Sequence, residues 1–165
     1  MSVEPSHLVA LLEANLARQL AWIAAADAKT GFIFGLCTAM LGLLAAAAPA
    51  YGHWTPVGAV LGTIATMMLL STIFALTAAV FPRTSGPKLS LIFFGSVSAR
   101  DIDTFRSEIA QLDDEGYVED LIQQCHVNAQ IAAIKYGWVK RASVLLYVAL
   151  VPWIAATYTL FRDKS

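Results

Sequence analysis

At 165 residues and 58% hydrophobic, with 14% charged, the chain is more apolar than soluble domains, which sit at roughly 45–50%, and its length leaves no room for several ordinary domains. A net charge of −1 excludes a phosphate-backbone footprint on a polynucleotide, but not a small nucleotide. Only Cys37 and Cys125 occur, and neither has Cys or His partners at zinc-ligand spacing, so neither a disulfide nor a metal site is expected.

Residues 1–29 carry leucines at 8, 11, 12, 16 and 20, then Ile23, with no breaker before Gly31. This predicts one helix of over 40 residues running into an apolar span, with about 35 Å of it ahead of the bilayer. On its surface Asn15, Arg18, Gln19, Trp22 and Lys29 share about 100° of arc, beside a packing stripe of Leu12, Leu16, Leu20 and Ile23.

From Thr30 to Pro82 there is no Asp, Glu, Lys or Arg, and the middle is a turn-forming cluster, Pro49 to Pro56. Two apolar helices of about 20 residues joined by a turn cross a bilayer twice. We place the first span at 30–49, the turn at 50–56 and the second span at 57–82. Glu4, Glu13 and Asp27 upstream, and the length of the apolar run, argue against a signal peptide. Gly31, Gly35 and Gly42 on the first span, and Gly58 and Gly62 on the second, let helices approach closely, within one chain or between chains. Uncharged spans speak against a transporter, a proton relay or an intramembrane protease.

Residues 83–141 return to charge. Arg83 to Pro87 ends the second span. Leu89 to Gly95 is a short apolar run compatible with a strand, an interfacial loop or part of a small core. Ser98, with Asp101 three residues on, reads as the cap of a helix from about 99 to 111. Asp113, Asp114 and Glu115 open another helix that runs without proline from Tyr117 to the third span, 142–161, where Pro152 is tolerated as a kink. A tail of 162–165 follows. On this helix Asp120, Gln124, Asn128 and Lys135 fall within about 80°. Beside them lie Val118, Leu121, Ile122, Cys125, Ala129, Ala132 and Tyr136.

The distribution of basic residues sets the orientation. Lys29 and Arg83 flank a hairpin whose tip has none, so the N-terminus and 83–141 are expected in the cytosol and the tip outside. Arg162 and Lys164 then lie outside, outvoted by Lys135, Lys140 and Arg141. The fold class is an all-α integral membrane protein: three transmembrane helices, with long helices extending into a cytosolic helical region.

Catalytic motifs are missing: no nucleophile elbow, dinucleotide fingerprint, Walker loop or paired zinc histidines. An enzyme built on Asp120 and His126 is the weakest reading. The two polar faces are richer. Arg and Lys hold a phosphate, amides read a base edge as donor and acceptor, and Trp stacks on the base. Two plainer readings stay open. The faces are solvated, or they hydrogen-bond to each other, with Trp22 a packing anchor, His126 a structural residue and Asp27–Lys29 a local ion pair.

Three segments carry a family resemblance. They are Asn15 to Arg18 through Trp22-Ile23 to Ala26–Lys29, then Ser90 to Gly95, and Asp120 to Tyr136 before the third span. In their order and distance from the spans the chain resembles the transmembrane effectors of Pycsar antiphage systems. Phe93 stands where that family often carries Tyr, which removes a hydroxyl. The resemblance implies a non-enzymatic, cofactor-free effector in the bacterial inner membrane, working as a homo-oligomer. It would respond to cyclic UMP or cyclic CMP made by a partner pyrimidine cyclase, then impair the membrane and abort infection. On our mapping the nucleotide meets Asn15, Arg18, Gln19, Trp22, Lys29, Asp120, Gln124, Asn128 and Lys135. The alternative is an adaptor membrane protein whose cytosolic helices dock a protein partner without a small ligand.

Overall fold

The computed structural model describes residues 5–50, 53–81, 86–87 and 89–164, with the side chains of Pro5 and Lys164 set aside. Five helices occur: α1 (Pro5–Ala47), α2 (Pro56–Val80), α3 (Phe94–Ser98), α4 (Ile102–Ala110) and α5 (Asp114–Lys164), and there is no strand among the described residues. The expected long helices are present. α1 is one helix of 43 residues and α5 one of 51 that continues through Pro152. Three helices, α1, α2 and α5, are long and apolar enough to cross a membrane. Arg83, part of the turn at Tyr51-Gly52 and the Lys164 side chain lie outside the described residues.

Local chemistry explains the helix starts. Thr55 is extended and its hydroxyl accepts from the Gly58 N–H at 3.1 Å, while Pro56 at the first helical position has no N–H to leave unpaired. The α4 cap is Asp101 and not Ser98. The Asp101 carboxylate accepts from the N–H groups of Asp103 and Thr104 at 3.1 and 2.9 Å, so the helix begins at Ile102. Ser98 closes α3 instead, donating to the Gly95 carbonyl at 3.2 Å. Asp113 caps α5 by accepting from Gly116 N–H at 2.8 Å, and Asp114 and Glu115 fill its first turn.

The chain forms two compact units, residues 1–25 with 82–134 and residues 26–81 with 135–165. α1 and α5 contribute to both. In the second unit α1 and α5 run parallel. Lys135 pairs with Asp27, and further along the Trp153 indole donates to the Met40 carbonyl at 3.0 Å. α2 is antiparallel to α5, with Gly58 and Gly62 near its start against Leu160 near the end of α5. A Cβ at Gly58 would sit 2.8 Å from the Asp163 carboxylate and 3.3 Å from Leu160, whereas at Gly31, Gly35 or Gly42 it would meet nothing within 4 Å. The small-residue face of α2 is therefore used within the chain. The centre is filled by alanines (Ala65, Ala142, Ala149, Ala156) interleaved with Leu69, Leu76 and Leu160, all essentially inaccessible. Lipid tails are as apolar as leucine, so contact between small-sided helices supplies the stabilisation that the hydrophobic effect supplies in water.

Among the described residues the first unit has few deeply buried apolar side chains; Leu12, Leu121 and Ala132 are the buried ones. Its expected stripes are partly reversed. Leu20 and Ile122 are exposed, while Gln124 of the polar stripe is only 4% accessible. The reason lies in the hydrogen bonds that Gln124 and its neighbours make.

Candidate functional site

Within the first unit, α1 lies beside α5 through two polar contacts. The Tyr117 hydroxyl donates to the Glu13 carboxylate at 2.8 Å, and the Cys125 thiol donates to the Leu12 carbonyl at 3.4 Å. The Glu13 hydrogen bond holds Tyr117 above the usual tyrosine range, and burial pushes the Cys125 thiol up.

The apolar run after Leu89 is a folded loop leading into α3. Ser90 is its hub. The Ser90 hydroxyl oxygen accepts from the Phe93 N–H at 2.8 Å and from the Gln124 amide at 2.9 Å. Next to it, the Asp120 carboxylate accepts from the Leu91 N–H at 2.8 Å. The Phe93 ring lies over two glycines; a Cβ at Gly86 or Gly95 would come within 2.5 or 2.6 Å of it. Only glycine fits under that ring. From the other side Arg100 staples the loop. Its guanidinium donates to the carbonyls of Leu89, Ser90 and Ser96 at 2.9–3.0 Å and forms an ion pair with Glu108 at 2.6 Å. Neither Ser90 nor Arg100 was singled out as a site residue from the sequence. Arg100 had a signal, as the lone charge between Lys88 and Asp101 in an otherwise apolar stretch.

Of the nine expected nucleotide residues, seven lie in this unit. Asn15 and Gln19 are half-buried and joined, the Gln19 amide donating to Asn15 at 3.1 Å. Arg18 and Trp22 are exposed, Trp22 by 51%. Asp120 and Gln124 hold the loop, and the Asn128 amide donates to the Gln124 carbonyl one turn earlier at 2.9 Å. Two of the nine carry a buried oxygen with no hydrogen-bond partner, Gln19 Oε1 and Asp120 Oδ1; outside the nine, Thr157 Oγ1 and the ion-paired Glu108 Oε2 also lack one. Buried oxygens are rarely left so.

Lys29 and Lys135 belong to the second unit. Lys135 is buried and its ammonium is bonded to Asp27. The expected Asp27–Lys29 pair does not form, because residues two apart on a helix do not face each other. Lys29 lies instead 5.3 Å from the centroid of the Tyr136 ring.

A separate open cleft of about 540 Å³ on the first unit is bordered by Pro87, Ile122, Gln123, His126 and Gln130, with the Gln130 amide 2.9 Å from the His126 ring. None of the nine expected residues borders it.

The architecture is that of a helical multi-span membrane protein with a second, hydrogen-bonded unit built on two of the same helices. The chain belongs to the Pycsar effector family: the Pycsar effector protein domain matches residues 11–162, which take in α2 whole, α1 and α5 but for their outer ends, and both polar faces. No curated protein and no solved structure matches the chain. Membership makes it an effector of antiphage defence.

Proposed function

We infer that the chain senses a cyclic pyrimidine nucleotide, cyclic UMP or cyclic CMP, made by a partner cyclase, and in response impairs the bacterial inner membrane as a homo-oligomer. The observation that carries this reading is the family match over residues 11–162. The orphaned acceptors support it. Gln19 Oε1 and Asp120 Oδ1 are the kind of oxygen that the N–H groups of a pyrimidine edge would satisfy. Exposed Arg18 is the cation for the phosphate, and exposed Trp22 the ring on which a base stacks. Lys135 already has an anionic partner, so Arg18 takes the leading role.

Coupling to the membrane uses the two long helices. α1 and α5 each begin in the first unit and end in the second without interruption. A ligand that orders their first halves biases the second halves by its differential affinity for the two states. The topology that accompanies this reading has the N-terminus and residues 83–141 in the cytosol.

Dye release from liposomes holding the purified full chain tests the proposal, with cyclic UMP, CMP, AMP and GMP added in turn. Release with a pyrimidine nucleotide alone is the expected result. Arg18→Ala should remove the response while insertion is retained, and His126→Ala should keep it. A response lost in His126→Ala but kept in Arg18→Ala would move the ligand to the His126 cleft. Silence with all four nucleotides would favour an adaptor that docks a protein partner.

A further inference from the structure

We propose that the second unit binds an anionic phospholipid in the groove between α1 and α5, with the lipid phosphate held by Lys29. The proposal rests on the reading that the three apolar helices lie in a bilayer, and it is independent of nucleotide sensing. The groove encloses about 500 Å³ and is walled by Phe32, Ile33, Leu36, Leu146 and Tyr147. It follows α1 from Ala28 to Leu36, a length of about 12 Å at the helical rise, which suits an acyl chain lying along the helices.

Charge decides what fills it. Lys29 stands at one end of the groove, one residue before the long uncharged run begins, at the level where a helix passes from headgroups into hydrocarbon. The nearby carboxylate of Asp27 is taken by Lys135. Among the described residues Lys29 is in no ion pair, and its ammonium rests near the face of Tyr136. A cation without a carboxylate, at the mouth of an apolar groove, complements a molecule with a phosphate at one end and a hydrocarbon chain at the other. A helix from a second copy would fill the walls but leave the cation unanswered, and a free nucleotide would have no use for the walls. A net negative lipid is favoured over a zwitterionic one because no headgroup cation competes with Lys29. This assigns to lipid a residue that the sequence had grouped with the nucleotide face.

The test is native mass spectrometry of the full chain released, without nucleotide, from nanodiscs of equal phosphatidylglycerol and phosphatidylcholine. Wild type should retain phosphatidylglycerol about five-fold over phosphatidylcholine, the effect of about one interfacial cation. Lys29→Gln should lose that preference, while Lys29→Arg and Lys140→Gln keep it. Leu36→Trp, which fills the groove and leaves the charge, should lower phosphatidylglycerol retention, with circular dichroism confirming that every variant remains helical. Equal retention of both lipids by wild type, an unchanged preference in Lys29→Gln, or a lipid-free dimer would each overturn the proposal. Because nucleotide is absent throughout, such a failure bears on the groove alone and leaves the dye-release result standing; failure of wild type to enter nanodiscs would overturn the bilayer reading as well.

Discussion

The two units solve the same problem, holding helices together, with opposite chemistry. The second relies on a centre of buried alanines and leucines, with Gly58 and Gly62 against Leu160, and polar contacts such as Trp153–Met40 punctuate it along its length. The first has few buried leucines and is wired by side-chain hydrogen bonds that converge on Ser90, Leu91 and Arg100. Packing of small residues is insensitive to water and survives in lipid. A polar network is directional, so it fixes one loop conformation and can exchange a partner for a ligand. The unit built for packing holds the apolar stretches of the three long helices; the unit built on hydrogen bonds carries the polar groups to which the proposed nucleotide response is assigned.

Substitutions can break this contrast from either side. The largest effect is expected at Arg100→Ala, which leaves three loop carbonyls and Glu108 without their shared partner. A loss of about 3 kcal/mol follows from removing a charged donor shared by three part-buried or exposed carbonyls and a carboxylate, at the upper end for hydrogen bonds to a charged group. Hydrogen exchange should show α3, α4 and the loop opening while the spans keep their protection. Loss of protection throughout the spans would mean that the units are not energetically separate.

The mirror experiment is Leu69→Ala in the second unit, at a side chain with no exposure. A cavity there should cost about 2 kcal/mol, at the low end for leucine truncation because lipid solvates the unfolded helices well. Detergent denaturation reads it, and Tyr117 fluorescence in the first unit should shift little.

Gln124→Ala is smaller. It removes the amide that bonds Ser90 and should destabilise the first unit by about 1 kcal/mol, measured by urea unfolding of that unit. If the variant also changes the nucleotide response by more than its stability loss explains, Gln124 contacts ligand as well as loop.

The smallest effect is a pH dependence. Hydrogen bonds from Thr104 hold the Asp101 carboxyl below its ordinary value of 3.8. A depressed carboxylate contributes stability that is present above 3.8 and lost as pH falls through the lower folded value. Exchange at the start of α4 should therefore quicken below pH 4, and Asp101→Asn should flatten that profile. An equal profile in the variant would assign the cap to backbone geometry alone.

Much was legible from the chain alone, and for a physical reason. Uncharged runs of about 20 residues leave a membrane-crossing helix as the economical solution, since backbone groups in lipid must bond within their own segment. The absence of breakers before Gly31, and of proline from Tyr117 to the third span, likewise announced one helix of over 40 residues and a second running into the third span. What periodicity cannot assign is which of two adjacent stripes turns inward. On α5 both stripes bury some members: Gln124 and Lys135 go in with Leu121 and Ala132 while Ile122 faces out, because the partners of Gln124 and Lys135 come from Ser90 and Asp27, 34 and 108 residues away in sequence. The choice of Asp101 over Ser98 as cap turned on backbone shape, and the role of Arg100 on three carbonyls brought to one point by a loop. Composition and spacing determined the long helices and the three apolar runs, and the resemblance of three segments pointed to the family; only tertiary structure decided which polar groups pair with each other and which are left with a lone pair to offer, because partner choice depends on distances that sequence separation does not encode.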